Sequence, residues 1–212
     1  MKKIILIGGG GHAKVVIDAV KYSDKYTIYG IVDPKLPEGE SVLGVKVIGG
    51  DEKLKGLFEE GIESAFIGIG SIGDCSLRKK IYDELKRIGF RLPVIVHPKA
   101  IVADDVEIGD GTFVAAGAII NPGTKIGKNA IINTSSSIDH DCVIGDFVHI
   151  APGVTLSGGV KVGDETHIGT GAKVTQYLTI GKKCTIGAGQ TIRHDIADGQ
   201  KGFVSAAANE KE

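Results

Sequence analysis

Ile120-Asn121-Pro122-Gly123-Thr124-Lys125-Ile126-Gly127-Lys128-Asn129-Ala130-Ile131-Ile132-Asn133-Thr134-Ser135-Ser136-Ser137-Ile138 sets four isoleucines six residues apart. The spacing continues back through Val114, Ile108 and Val102. It runs forward through Ile144, Ile150, Leu156, Val162, Ile168, Val174, Ile180, Ile186 and Ile192. A period of six matches neither the 3.6 residues of an α-helix nor the alternation of a flat strand. It matches a coil in which each six-residue stretch forms one short side and then turns. Two positions before the aliphatic residue the side chain is mostly small, as at Thr112, Ala118, Ala130, Ser136, Cys142 and Ala172. The position after it is often Gly or Asn, as at Gly109, Asn121, Gly127, Asn133, Gly145 and Gly163. The reading is an aliphatic residue pointing inward, a small one admitting close backbones, and Gly or Asn taking the corner.

The chain has 212 residues, room for one large or two modest domains. A formal charge of −1 gives no electrostatic case for binding nucleic acid or a membrane surface. No apolar stretch approaches the ~20 residues of a membrane span. Met1-Lys2-Lys3 precedes only Ile4-Ile5-Leu6-Ile7 before glycines begin, which reads as a first strand rather than a secretion signal. Cys75, Cys142 and Cys184 lack metal-ligand spacing, and the last two fall on the inward small position. An odd number without a framework suits a reducing cytoplasm, and no metal is expected.

Residues 1 to 96 lack the six-residue period and form a separate domain, with residues 97 to 212 as the second. Lys3 to Ile7 reads as a strand, His12 to Val20 as a helix, and Tyr26 to Val32 as a second strand. Val45 to Ile48, a helix over 51–60, a strand over 64–69, an amphipathic helix over 77–88 and a short strand Val94-Ile95-Val96 follow. Strands alternating with helices predict a small parallel α/β domain.

Gly8-Gly9-Gly10-Gly11-His12-Ala13 follows the first strand and opens the helix. Backbone N–H groups and the helix dipole there make a phosphate cradle. Asp33 lies where a dinucleotide enzyme holds a ribose hydroxyl. A dinucleotide fold needs two mononucleotide halves and this domain has length for one, so a nucleoside diphosphate is favoured over NAD.

The hexads closely resemble those of the hexapeptide acyltransferases, whose fold is a left-handed parallel β-helix with three hexads to a coil of about 18 residues. That handedness comes from the resemblance, since sterics alone favour right-handed crossovers. Gly-Gly-Gly-Gly-His-Ala-Lys at the first turn, Val32-Asp33-Pro34, Asn133-Thr134-Ser135-Ser136 and Ile138-Asp139-His140-Asp141-Cys142 narrow it further. Over nearly its whole length the chain resembles the sugar acetyltransferases that include UDP-N-acetylbacillosamine N-acetyltransferase, perosamine N-acetyltransferase and sialic acid O-acetyltransferases.

The resemblance implies transfer of acetyl from acetyl-CoA to a sugar. His140 would be the general base and Asp141 its carboxylate partner. Relatives commonly carry Glu at the second position, so the shorter Asp141 arm leaves Asp139 as a substitute. The resemblance places His149, Gly158, Thr170 and Ala188 at the coenzyme. It places Gly10, Gly11, His12, Asp33, Pro34, Gly70 and Asn133 at a nucleotide-activated amino sugar. It implies a homotrimer with active sites between subunits. Eighteen-residue spacing stacks His149 on His167 and Gly158 on His140. His167 has no matching family position and reads as an exposed residue. Relatives often end in Gly-x-Pro-Ala followed by a basic residue near the coenzyme tail, where this chain reads Gly202-Phe203-Val204-Ser205-Ala206-Ala207-Ala208. Sialic acid O-acetylation is the alternative activity, and a nucleotide-sugar-binding scaffold the non-enzymatic one.

Overall fold

The computed structural model describes residues 1–202. The divergent segment from Phe203 to Ala208 lies outside them.

The N-terminal part is a five-stranded sheet. β1 (Lys2–Ile7) leads into α1 (Gly11–Lys21), and β2 (Tyr26–Val32) into the short hairpin of β3 (Ser41–Val42) and β4 (Val45–Gly49). A 3₁₀ turn and α2 (Leu54–Glu59) precede β5 (Ser64–Ile67), and α3 (Ser76–Ile88) closes the unit. The strand order is β3-β4-β2-β1-β5, parallel apart from the β3–β4 pair. β1 and β5 are buried over most of their length, which is why they read as continuous apolar runs. The strand expected over 64–69 stops at Ile67, because Gly68 and Gly70 break it.

The rest is a three-sided parallel β-helix. Its two-residue strands form sheets of seven, six and five strands among the described residues. Ile119 pairs with Ser137, Lys125 with Val143 and Ile131 with His149, each partner eighteen residues on. The periodic aliphatic residues fill the interior together with the small ones two positions earlier. Ile95–Val96 pairs with Phe113–Val114 in the seven-stranded sheet, so this strand, expected to end the first domain, begins the β-helix.

The corners differ from expectation. Left-handed φ falls three residues after the aliphatic position, at Gly111, Gly117, Gly123, Asn129, Ser135 and Asp141, not one residue after it. The glycine directly after the five-stranded face, at 109, 127, 145, 163 and 181, answers a different need. A Cβ at Gly109 would stand 2.6 Å from the carbonyl carbon of Gly127, and one at Gly127 2.7 Å from the Asp146 nitrogen. Coil spacing, not corner geometry, excludes a side chain there.

The N-terminal unit lies on the seven-stranded face. Ile95, Phe113 and Ile131 point outward from that face into one core with Ile4, Leu6, Val16 and Ile17. α3 lies along the neighbouring corner and runs against the direction of coil growth. Lys79 pairs with Glu165 at 2.8 Å, Tyr82 meets Phe147 edge-on at 5.4 Å, and Lys86 reaches Asp110 at 3.6 Å.

Candidate active site

His140 and Asp141 follow the strand Ser137–Ile138, at the corner between the six- and five-stranded faces. The His140 Nδ1–H donates to Asp141 Oδ2 at 2.8 Å. Asp141 occupies a left-handed corner, φ 58°, a conformation that Asp tolerates better than most residues. Its short arm therefore suffices. Asp139 does not substitute for it. Its Oδ1 accepts the backbone N–H of His140 at 2.8 Å and the Asn121 amide at 2.9 Å, which hold its carboxyl below the ordinary range. The hydrogen bond to Asp141 raises the His140 pKa above its ordinary value, with added attraction from Asp139 and Asp141.

With Nδ1 as donor, Nε2 is left as the basic atom. Gly158, eighteen residues on, lies against this edge of the ring. A Cβ there would come within 2.6 Å of Nε2 and Cε1. On the preceding coil, a Cβ at Gly123 would collide with Oδ1 of Asp141. Two glycines thus leave the pair its space, and the ring stays half exposed.

A second group lies on the seven-stranded face and its next corner. His149 and His167 pair in register, with ring centroids 4.8 Å apart. His167 is half-buried under this stacking rather than exposed. The buried His149 donates from Nδ1 to the Ser71 carbonyl, and its Nε2 accepts from the Asn133 amide at 3.1 Å. Burial lowers its pKa to about 4, so the ring is neutral near pH 7. Thr170 and Ala188 are exposed on the corner beyond Asn133, and the Gly189 N–H donates to the Thr170 carbonyl at 2.8 Å. Within one chain, the six-stranded face separates Asn133, Thr170 and Ala188 from His140 and Gly158. Asn133 and His140 are therefore not brought together within a single chain.

The third group lines a cavity of about 330 Å³ in the N-terminal unit: Gly10, Gly11, His12, Asp33, Pro34 and Gly70. α1 begins at Gly11 with no side-chain cap and no acid in its first turn, so its N–H groups remain available to an anion. Asp33 accepts the Gly9 N–H and the Lys35 N–H, both at 2.8 Å, and so braces the glycine turn. His12 stands edge-on to Phe113 at 5.4 Å. Burial, with Arg78 and His149 nearby, lowers its pKa to about 3.

The sequence reading missed the opposite wall. Leu77, Lys80, Ile81 and Glu84 present one stripe of α3 to the cavity, with Asp51 beside them. Burial and then Glu84 push the Asp51 pKa up. The helical spacing was visible, but not what that stripe faces. Lys182 is paired with Asp164 at 2.9 Å. Among the described residues no group of three or more His, Cys, Asp or Glu is arranged to hold a metal. No helix of theirs is long and apolar enough to cross a membrane.

A hexapeptide β-helix carrying a buttressed histidine beside a glycine gap, joined to a glycine-turn pocket, defines an acyltransferase of the hexapeptide-repeat class. Residues 3–85 match the PglD N-terminal domain, and residues 123–158 the bacterial transferase hexapeptide repeats. A variant of perosamine N-acetyltransferase from Caulobacter crescentus, solved with CoA and GDP-perosamine, is 38% identical over 100% of this chain and 98% of its own, with TM-score 0.91. The acetyltransferase domain of PglB from Neisseria gonorrhoeae is 36% identical over 98% of this chain and 99% of its own, with TM-score 0.88. UDP-N-acetylbacillosamine N-acetyltransferase of Bacillus subtilis is 34% identical over 55% of this chain and 52% of its own. GDP-perosamine N-acetyltransferase of Escherichia coli O157:H7 is 31% identical over 42% of this chain and 41% of its own, so the matches to these two curated relatives span about half their length or less. The chain belongs to the hexapeptide-repeat sugar N-acetyltransferase family.

Proposed function

We propose that this chain moves an acetyl group from acetyl-CoA to the amine of a nucleotide-linked 4-amino-4,6-dideoxy sugar, with His140 as general base. The observation that carries this reading is the His140–Asp141 pair, with Nε2 facing the space that Gly158 leaves open. The relatives solved with GDP-perosamine and with acetyl-CoA support the two substrates.

His140 takes the proton that the attacking amine loses as the C–N bond forms, and Asp141 stabilises the resulting imidazolium. Gly158 provides the coil edge against which the thioester fits, with Thr170 and Ala188 toward the rest of the coenzyme. The nucleoside diphosphate rests on the N–H groups of Gly10 and Gly11, with His12, Asp33, Pro34 and Gly70 around it, and Asn133 faces the acceptor sugar.

Asn133, Thr170 and Ala188 stand on a different corner from His140 and Gly158. A site that uses both corners takes them from two copies, which supports a homotrimer with shared sites. Its contacts are not broadly apolar, since Ile101, Ile119 and Val143 are the large exposed apolar residues on the strands of the two open faces. The setting is the cytoplasm, where the buried thiols of Cys75, Cys142 and Cys184 stay reduced.

Product analysis tests the reading. Acetyl-CoA is supplied with GDP-perosamine, with a UDP-linked 4-amino sugar, and with free or CMP-linked sialic acid. Acetylation of an amino sugar is expected. Acetylation of sialic acid alone would replace the reading with O-acetylation, and absence of any turnover would leave a binding scaffold. Because the His140 pKa is raised, turnover should climb with pH through an inflection above the ordinary imidazole value. Asp141→Asn should move that inflection down.

A further inference from the structure

We propose that Arg78 and His149 are positioning residues that fix the nucleotide pocket to the β-helix by holding alternate carbonyls of one short segment. The segment runs from Ile67, the end of β5, to Ser71. Arg78 Nη1 donates to the Ile67 carbonyl at 3.2 Å and to the Ile69 carbonyl. His149 Nδ1 donates to the Ser71 carbonyl. Three alternate carbonyls of this segment are anchored, while Gly68, Ile69 and Gly70 form a wall of the cavity.

The other half of the guanidinium grips the β-helix. Nη2 donates to the Asn129 carbonyl at 3.3 Å and to the Asn129 Oδ1. The two Nη atoms carry four N–H bonds and meet four acceptors, two on each side of the domain boundary. Arg78 is 1% exposed. No carboxylate takes part in this set, and burial lowers its pKa to about 9, which still leaves it charged near neutral pH. A planar fork can serve four fixed acceptors in this way, whereas the three donors of Lys radiate from one point. Asn129 can offer both its oxygens to one side because it occupies a left-handed corner, φ 52°.

His149 completes the link. Its Nδ1–H is committed to Ser71, so Nε2 must accept, and the Asn133 amide supplies the proton. The pocket wall, the imidazole and Asn133 thereby form one chain of contacts. Beside the coenzyme contact that the resemblance implies, His149 thereby holds the nucleotide pocket and Asn133 in register. The inference rests on the proposed function only for the identity of the ligand.

The test uses full-length Arg78→Lys and His149→Phe, singly and together, with two readouts. In steady-state kinetics, KM for the amino-sugar nucleotide should rise about tenfold in each single variant, with KM for acetyl-CoA within about twofold in Arg78→Lys. The double variant should fall short of the product of the two, because both residues hold the same segment. In hydrogen exchange, the amides of residues 68–71 should lose protection while the β-helix interior keeps its own. Unchanged nucleotide-sugar KM with unchanged exchange over 68–71 overturns the proposal. So does a uniform loss of protection with both KM values rising alike, which would make these residues merely structural. If the wild type turns over no amino sugar, the proposed function fails by itself. Local exchange over 68–71 then decides for the link, and its absence decides against it.

Discussion

The seven- and five-stranded faces of the β-helix share one interior rule and differ in what they show outward. Inward, both carry Ile or Val at the periodic position, from Val114 to Ile186 on one and from Ile108 to Ile180 on the other. Outward, the seven-stranded face reads Ile95, Phe113, Ile131, His149, His167, Thr185 and Lys201, while the five-stranded face reads Glu107, Lys125, Val143, Lys161 and Thr179. The first column is apolar where the N-terminal sheet and α1 cover it and turns polar at His149, where the covering segment presents the Ser71 carbonyl. The second is solvated and laced with pairs such as Lys125–Glu107 at 2.8 Å. The interior residue builds the coil, and the residue beside it decides whether a face carries a partner. The proposed chemistry falls to an open corner, where the His140 ring is half exposed.

The contrast can be broken at its strongest point by Phe113→Ala. Phe113 is fully buried between the two units, so the change should cost about 3–5 kcal/mol of stability by denaturant unfolding. A cost below about 1 kcal/mol would mean that the covering domain contributes little at that face. His140→Ala does the converse on the open corner. Turnover should drop by roughly 100-fold or more with the melting temperature nearly unchanged. A variant with near-normal turnover would remove His140 from catalysis.

Gly158→Ala sharpens the same point. Its Cβ would meet the imidazole at 2.6 Å, so the ring must swing away. We expect about a tenfold fall in kcat, with unfolding little affected because an exposed ring can move. The smallest effect is in pH dependence. His12 and His149 are neutral when folded, with pKa values of about 3 and about 4, and protonate more readily when unfolded. The unfolded state therefore binds more protons below the ordinary histidine value, and stability must fall as pH drops from about 6.5 toward 4. His149→Phe should reduce that slope by about one proton per molecule, measured from unfolding free energies across the range. An unchanged slope would show that His149 is not held neutral.

The six-residue period revealed the coil and its interior, and eighteen-residue arithmetic stacked His149 on His167 and Gly158 beside His140. The glycine turn, Asp33-Pro34 and Gly70 line one cavity. What escaped was the docking of one unit on the other. Arg78 opens the run Arg78-Lys79-Lys80, and a run of basic residues reads as solvated charge. Only the fold shows that it points inward against four acceptors. Asn129, Phe147 and Glu165 were equally silent, because corner positions accept glycine or a side chain and periodicity cannot tell which is being used. Ile95–Val96 reads as the close of the first domain, although Val96 lies six residues before Val102, in phase with the repeat.

The run of α3 along the corner sets two repeats side by side. One turn of an α-helix advances about 5.4 Å, and neighbouring coils of parallel strands repeat about every 4.8 Å. From Lys79 to Lys86 the helix axis advances only about 10.5 Å, while their partners Glu165 and Asp110 stand about three coils apart, roughly 14 Å. The helix is thus shorter than the stretch of corner it serves, and the long lysine side chains span the remaining ~4 Å. Lengthening the β-helix by whole coils beyond the seam would leave both contacts untouched.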